Sequence, residues 1–253
     1  MLLLNSPDQL VVAKSGNSVD ILSYRRENSV LGWSPFQSGD LLVTDLGSRY
    51  DMIDDISMLP GRTDDKYDRV WMIVQRSNDS GTTKTIEYLE EGTVLDSQSS
   101  AIPSNNQITG LERFEGETIQ AINLVFYLGE FTVTNGTITL PATTGAVTVG
   151  KGYEFKLSPA VQEIQGRNGF THGHKRSYDR SLVYFNKTRG PVVAGYSLQT
   201  LPAAGYAQPS EINGWEDVPV IGLYGKSPVF NITHNNPYTI EIQSLSVEVT
   251  YSD

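Results

Sequence analysis

The stretch Phe131-Thr132-Val133-Thr134-Asn135-Gly136-Thr137-Ile138-Thr139-Leu140 decides the fold. Phe131 and Val133 alternate with Thr132 and Thr134. Beyond Asn135-Gly136, Ile138 and Leu140 alternate with Thr137 and Thr139. A period of two residues marks a strand with one buried face. A two-residue type I′ turn needs positive φ at both central positions, which Asn-Gly tolerates best. The segment therefore predicts a tight hairpin. Strand patterns at Thr118-Ile119-Gln120-Ala121-Ile122 and Val147-Thr148-Val149-Gly150-Lys151 flank it. The region Gly110–Gly152 thus predicts a small β-module closed by neighbouring strands.

Working outward, the same signals recur. Leu10–Ala13 and Val19–Tyr24 predict one hairpin, and Val30–Pro35 a strand ended by proline. Leu2 to Leu4 predict the start of a buried strand or a docking segment, and Leu41–Val43 a short strand. Asp51–Pro60 reads either as a strand with a ragged edge or as a helical turn. Arg69–Arg76 has few polar residues, which predicts a central strand, with Thr83–Glu90 pairing back across Asn78–Gly81. Residues 92–109 are rich in Ser, Asn, Gly and Thr and predict a linker. Later, Glu154–Pro159, Tyr178–Asn186, Val192–Tyr196, Val220–Tyr224 and Ile240–Tyr251 predict strands, with Val192–Tyr196 pairing with Tyr178–Asn186 across a turn at Lys187–Pro191. Val161–Gly169 and Pro202–Pro219 predict connections, the latter anchored by Trp215.

The chain is predicted to be all-β, with multi-stranded antiparallel sheets and a small inserted β-barrel-like module. Three regions are expected: a β-rich flank at 1–107, the module at 108–158, and a second flank at 159–253 that can fold with the first. At 253 residues a proper core is affordable. The chain has no cysteine, which excludes disulfides and thiolate-bound metals. No apolar run approaches the roughly 20 residues of a membrane span, so none is expected. Met1-Leu2-Leu3-Leu4 is too short for a signal-peptide core. The net charge of −10 opposes general attraction to nucleic acid.

A search for chemistry gives little. His172 and His174 have the spacing of a metal pair, but the nearby sequence adds only Asp179, and no metal or other cofactor is predicted. No Gly-x-Ser-x-Gly elbow and no phosphate loop occur. Asp54-Asp55, Asp64-Asp65 and Glu90-Glu91 are adjacent carboxylates, which a strand sends to opposite faces, so they read as solvated charges. Asn135, Asn186 and Asn231 begin glycosylation-type sequons, read as turns. No enzymatic activity is predicted. Arg167, Lys175, Arg176, Arg180, Lys187 and Arg189 crowd together in an otherwise acidic chain. They are the candidate subunit-interface residues, set against plain surface and direct contact with DNA phosphates.

Read in order, Val70–Arg76, Thr85–Leu89, Ile108–Ile119, Val133–Pro141, Val147–Tyr153 and Lys175-Arg176 with Phe185–Gly190 resemble the C-terminal part of the tail nozzle (tail tubular) proteins of short-tailed bacteriophages. The resemblance runs from about Val19 to Tyr251. It implies a virion protein of the tail, assembled in the host cytoplasm. Six copies would form a ring below the portal and adaptor and beside fibre proteins. DNA would pass through the channel without specific binding, and an acidic lumen would keep it from sticking. The rival expectation is a phage or cell-surface β-protein that binds carbohydrate or a receptor, with Trp33, Trp215 and loop tyrosines as stacking platforms. A polysaccharide hydrolase ranks last, because no carboxylate pair recommends it.

Overall fold

The computed structural model describes residues 2–3, 9–15, 18–25, 30–36, 52–60, 69–78, 81–90, 92–123, 126–141, 145–159, 165–166, 169–170, 174–199, 209–220, 223–226 and 228–252. Among these there is no α-helix, and none long and apolar enough to cross a membrane. The chain is all-β, built from antiparallel sheets. It divides into two compact units. Met1–Asn123 with Leu128–Gly152 form the first, and Leu124–Tyr127 with Tyr153–Asp253 form the second.

In the first unit, β1 (Leu2–Leu3), β2 (Gln9–Ser15), β3 (Ser18–Arg25) and β4 (Val30–Phe36) form a meander in chain order. The predicted first hairpin is present, with Leu10 opposite Leu22. Pro35 lies inside β4, opposite Asp20, rather than ending it. The segment 41–43 lies outside the described residues. A second meander contains β5 (Met52–Leu59), β6 (Arg69–Asn78) and β7 (Gly81–Tyr88), with β6 in the centre as its apolar run predicts. The ambiguous segment is thus a strand, with a register shift between Ile53 and Asp55. Ile53, Val70, Met72 and Val74 bury one face of this sheet.

The module follows. Residues 92–109 are not a linker: they carry β8 (Asp96–Ala101) and β9 (Gln107–Ile108). Polar strands of this kind escape a reading by hydrophobic period, because β8 is Asp-Ser-Gln-Ser-Ser-Ala and is held by its pairing partner. After a 3-10 turn at Glu112–Phe114 come β10 (Thr118–Ile122), β11 (Tyr127–Thr132), β12 (Ile138–Thr139) and β13 (Val147–Lys151). They form an open sheet in the order β11-β10-β13-β8 and a ribbon of β12 with β9. Among the described residues no barrel closes, and the hairpin explains why. Thr134 and Thr137 exchange both backbone hydrogen bonds at 3.1 Å, so the Asn135-Gly136 turn is present. Its two arms then part: β12 leaves to pair Ile138 with Ile108, while the Val133 N–H donates to the Glu117 carbonyl. Ile108, Leu111, Phe114, Ile119, Val133, Ile138, Leu140, Val147 and Val149 fill the space between sheet and ribbon.

The second unit contains β14 (Phe155–Leu157), β15 (Gln165–Gly166), β16 (Gly169–Phe170), β17 (Lys175–Thr188), β18 (Val192–Val193), β19 (Tyr196–Ser197), β20 (Ile212–Pro219), β21 (Tyr224–Gly225), β22 (Ile232–His234) and β23 (Ile242–Ser252). The long β17 lies between β20 and β23. Three expectations change here. The segment read as connection includes the β15–β16 ribbon. Ile212–Pro219 is a strand, not a loop, recruited by β17 despite Gly214 and two acids. Val192–Tyr196 does not pair with the preceding strand; it splits at Ala194-Gly195 into β18 and β19, and β18 pairs with β22. The final strand is as predicted. Val183, Phe185, Val193, Val218, Phe230 and Ile232 centre this unit's core.

Candidate functional site

Of the six candidate interface cations, Arg167 lies outside the described residues. Arg176 is buried on β17, its guanidinium 5.5 Å from the Tyr251 ring centre. Arg180 grips Asp217 with two parallel bonds, Nε–Oδ1 at 2.7 Å and Nη2–Oδ2. That hydrogen bonding holds Arg180 above and Asp217 below their ordinary pKa values. Arg189 pairs with Glu211 at 3.0 Å and donates from Nε to the Pro209 carbonyl. Lys175 and Lys187 are exposed. They lie near opposite ends of β17, about 40 Å apart at strand rise. The structure therefore distributes these cations along a strand and places acids of the same chain against two of them. His174 is exposed, whereas His234 is buried with its ring nitrogens facing the Gly190 and Tyr238 carbonyls at 3.3 and 2.9 Å. Among the described residues no three His, Asp or Glu side chains group to hold a metal.

Two polar constructions stand out that the sequence reading passed over. On β6, Arg76 is only 2% exposed and binds two carboxylates. Its Nε and Nη2 donate to Glu87 at 2.7 and 2.6 Å, and Nη1 and Nη2 to Asp96 at 2.8 and 3.2 Å. Glu87 also accepts from Thr85 and Ser97 hydroxyls at 2.6 and 3.1 Å. Burial pushes the Glu87 carboxyl up, but Arg76 and the two hydroxyls outweigh it and hold it below the usual value. The sequence did carry a signal: Arg76 is in phase with Val70, Met72 and Val74, hence on the buried face. A cation there needs a carboxylate partner.

The second construction braces the hairpin tip. Asn135 and Gly136 have φ of 52° and 64°, and their N–H groups donate to the two Glu115 oxygens at 2.8 and 2.7 Å. The Leu111 N–H donates to the Gly136 carbonyl at 3.0 Å. The segment Gly110–Glu117 thus wraps the turn.

A row of exposed apolar side chains lies on the outer face of β5–β6–β7. Trp71 stands opposite Tyr88 and Ile73 opposite Ile86. The Trp71 and Tyr88 rings are 5.0 Å apart, and the Arg69 guanidinium lies 4.7 Å from the Tyr88 ring centre. Ile86 is 74% exposed. In the second unit Trp215 is 55% exposed and meets Tyr184 edge to face at 5.3 Å. No family model matches this chain, and no curated protein matches it.

Proposed function

We propose that this chain is a structural subunit that assembles with copies of itself, in the manner of a phage tail nozzle. The observation that supports the reading most is the row Trp71, Ile73, Ile86 and Tyr88 on one sheet face. Large apolar side chains ranged together on a surface are characteristic of faces that meet a partner. The resemblance of the strand order to tail nozzle proteins gives the assembly its form: a ring in the virion tail, below portal and adaptor, through which DNA passes. The net charge of −10 suits such a channel, since phosphates are held by cations. Mass measurement in solution and imaging of particles carrying a labelled chain test it. Rings, and label in the tail, are expected. A chain that stays monomeric at every concentration and is missing from particles overturns the reading.

One observation favours the rival reading of a carbohydrate or receptor binder. Trp215 presents its ring to solvent beside Tyr184 and two residues along the strand from Asp217. An aromatic ring next to a polar pair can stack on a sugar face. A glycan screen in which Trp215→Ala abolishes binding by a monomeric chain favours the binder over the ring.

A further inference from the structure

An antiparallel sheet ends in two strands whose outward backbone groups are unpaired, and proteins blunt such edges with bulges, prolines, glycines and charges. The three-stranded β5–β6–β7 sheet and the four-stranded sheet built on β17 are each blunted on one edge. In the first unit, β5 carries Asp54-Asp55 at a register shift. In the second, β20 carries Gly214 with φ 122°, Glu216, Asp217 and Pro219 and shifts register against β17. The opposite edges are different. β7 pairs with β6 over eight consecutive residues without a shift and contains no proline. β23 runs unbroken from Ser244 to Ser252, because the extra residue near Asp179 belongs to β17, and it too lacks proline. Among the described strands, nothing pairs with the outer side of either.

Resting on the assembly reading above, we infer that the β7 edge of one copy pairs antiparallel with the β23 edge of the next. Charge and face select the occupant and the register. β7 shows Lys84, which is 64% exposed although its ammonium already meets Asp54 of β5 at 2.6 Å, so that a second carboxylate would share it, and β23 shows Glu248. Placing Lys84 opposite Glu248 sets Ile86 against Ser246 on the outer face. On the inner face it sets Thr85 against Val247 and Thr83 against Val249. Opposite residues in an antiparallel pair share a face, so both buried faces stay on one side. A slip of two residues keeps the faces but loses the ion pair. Pairing β23 with a neighbour's β20 would bring Glu248 towards Glu216 and Asp217, like charges that oppose it. The result is a heterologous contact, the kind that closes rings or extends filaments. It joins a three-stranded and a four-stranded sheet into one and covers Ile86 and half-buried Leu245, Val247 and Val249.

The chain has no cysteine, so single thiols can report the seam cleanly. Directly opposed side chains put Cβ atoms about 4.5–5.5 Å apart, near disulfide reach. Ile86→Cys and Ser246→Cys are made separately, mixed and oxidised. A heterodimer at least about five times more abundant than either homodimer is expected. In parallel, Lys84→Glu weakens self-association and the double variant Lys84→Glu with Glu248→Lys restores it. The double variant controls for misfolding, because rescue requires the two side chains to face each other. Dominant Ser246→Cys homodimers overturn the inference in favour of β23 pairing with itself. Rings that form with neither cross-link nor rescue overturn the seam alone and leave the assembly reading standing. An unmodified protein that never associates overturns both.

Discussion

Arg76 and Arg180 make the same bond in two different places. Each guanidinium holds a carboxylate through two parallel hydrogen bonds, Arg76 to Glu87 and Arg180 to Asp217. The first is 2% exposed and binds a second carboxylate, Asp96 on β8. The second has 52% of its side chain in solvent. Geometry alone would rank them as equals, but burial separates them. In water a charge pair exchanges one set of good partners for another, whereas in the interior each charge depends on the other. Arg76 is thus a fastener between the β5–β7 sheet and the module, and Arg180 is surface ornament to β17.

The largest effect is expected at the buried pair. Arg76→Met leaves Glu87 and Asp96 without their cation and costs about 3–5 kcal/mol. Urea unfolding followed by fluorescence in a background where Trp33 and Trp215 are replaced by Phe measures it from Trp71, and the converse background that keeps only Trp215 reports the second unit. The same site sets an acid limit. Glu87 has a folded pKa below its ordinary 4.5, so the unfolded chain takes up this proton first as pH falls. Its contribution is present above pH 4.5 and is lost as pH drops through the folded value. In Glu87→Gln that portion of the acid slope is expected to vanish.

Next comes the hairpin tip. Glu115→Ala removes the acceptor of two turn amides and costs about 1–3 kcal/mol. Gly136→Ala costs about 1–2 kcal/mol, because φ is 64° and an added Cβ lies 2.7 Å from Glu112 Oε1, a side chain that can swing aside. Backbone hydrogen exchange at Thr137 and Leu111 should rise in both variants. A larger effect here than at Arg76 would reverse the ranking by burial.

Much of this architecture was legible in the residues. Period-two runs and turn dipeptides gave the all-β class, the central place of β6, the final strand and the Asn135-Gly136 turn. A second turn of the same kind, Asn105-Asn106 with φ of 49° and 61°, is marked by its residue types in the same way, within the segment whose composition predicts a linker. Other features were hidden for physical reasons. β8 and β20 are polar or interrupted by glycine and exist through pairing, which acts between residues far apart in sequence. The bulge at Asp179 changes the phase of β17, so Arg176 turns inward with Tyr178 while Arg180 turns out towards Asp217. Charge density along the sequence therefore selected Arg176 and Arg180 together. The phase of Arg76 with Val70, Met72 and Val74 was the more informative signal.

The smallest effect is expected at Arg180, and it tests the comparison most sharply. Asp217→Asn keeps the shape and removes the charge. Water and salt already screen this pair, so little stability should be lost. The urea midpoint read from Trp215 should stay within error of the unmodified protein at 0.15 M salt. The depressed pKa of Asp217 implies a contribution present at neutral pH and lost on acidification, but solvent exposure discounts it. A small stabilising contribution of the unmodified pair should appear, if at all, only at low ionic strength, where the Debye length is longer. A loss as large as that of Arg76→Met would mean that the bidentate geometry, rather than its removal from water, sets the strength of these contacts.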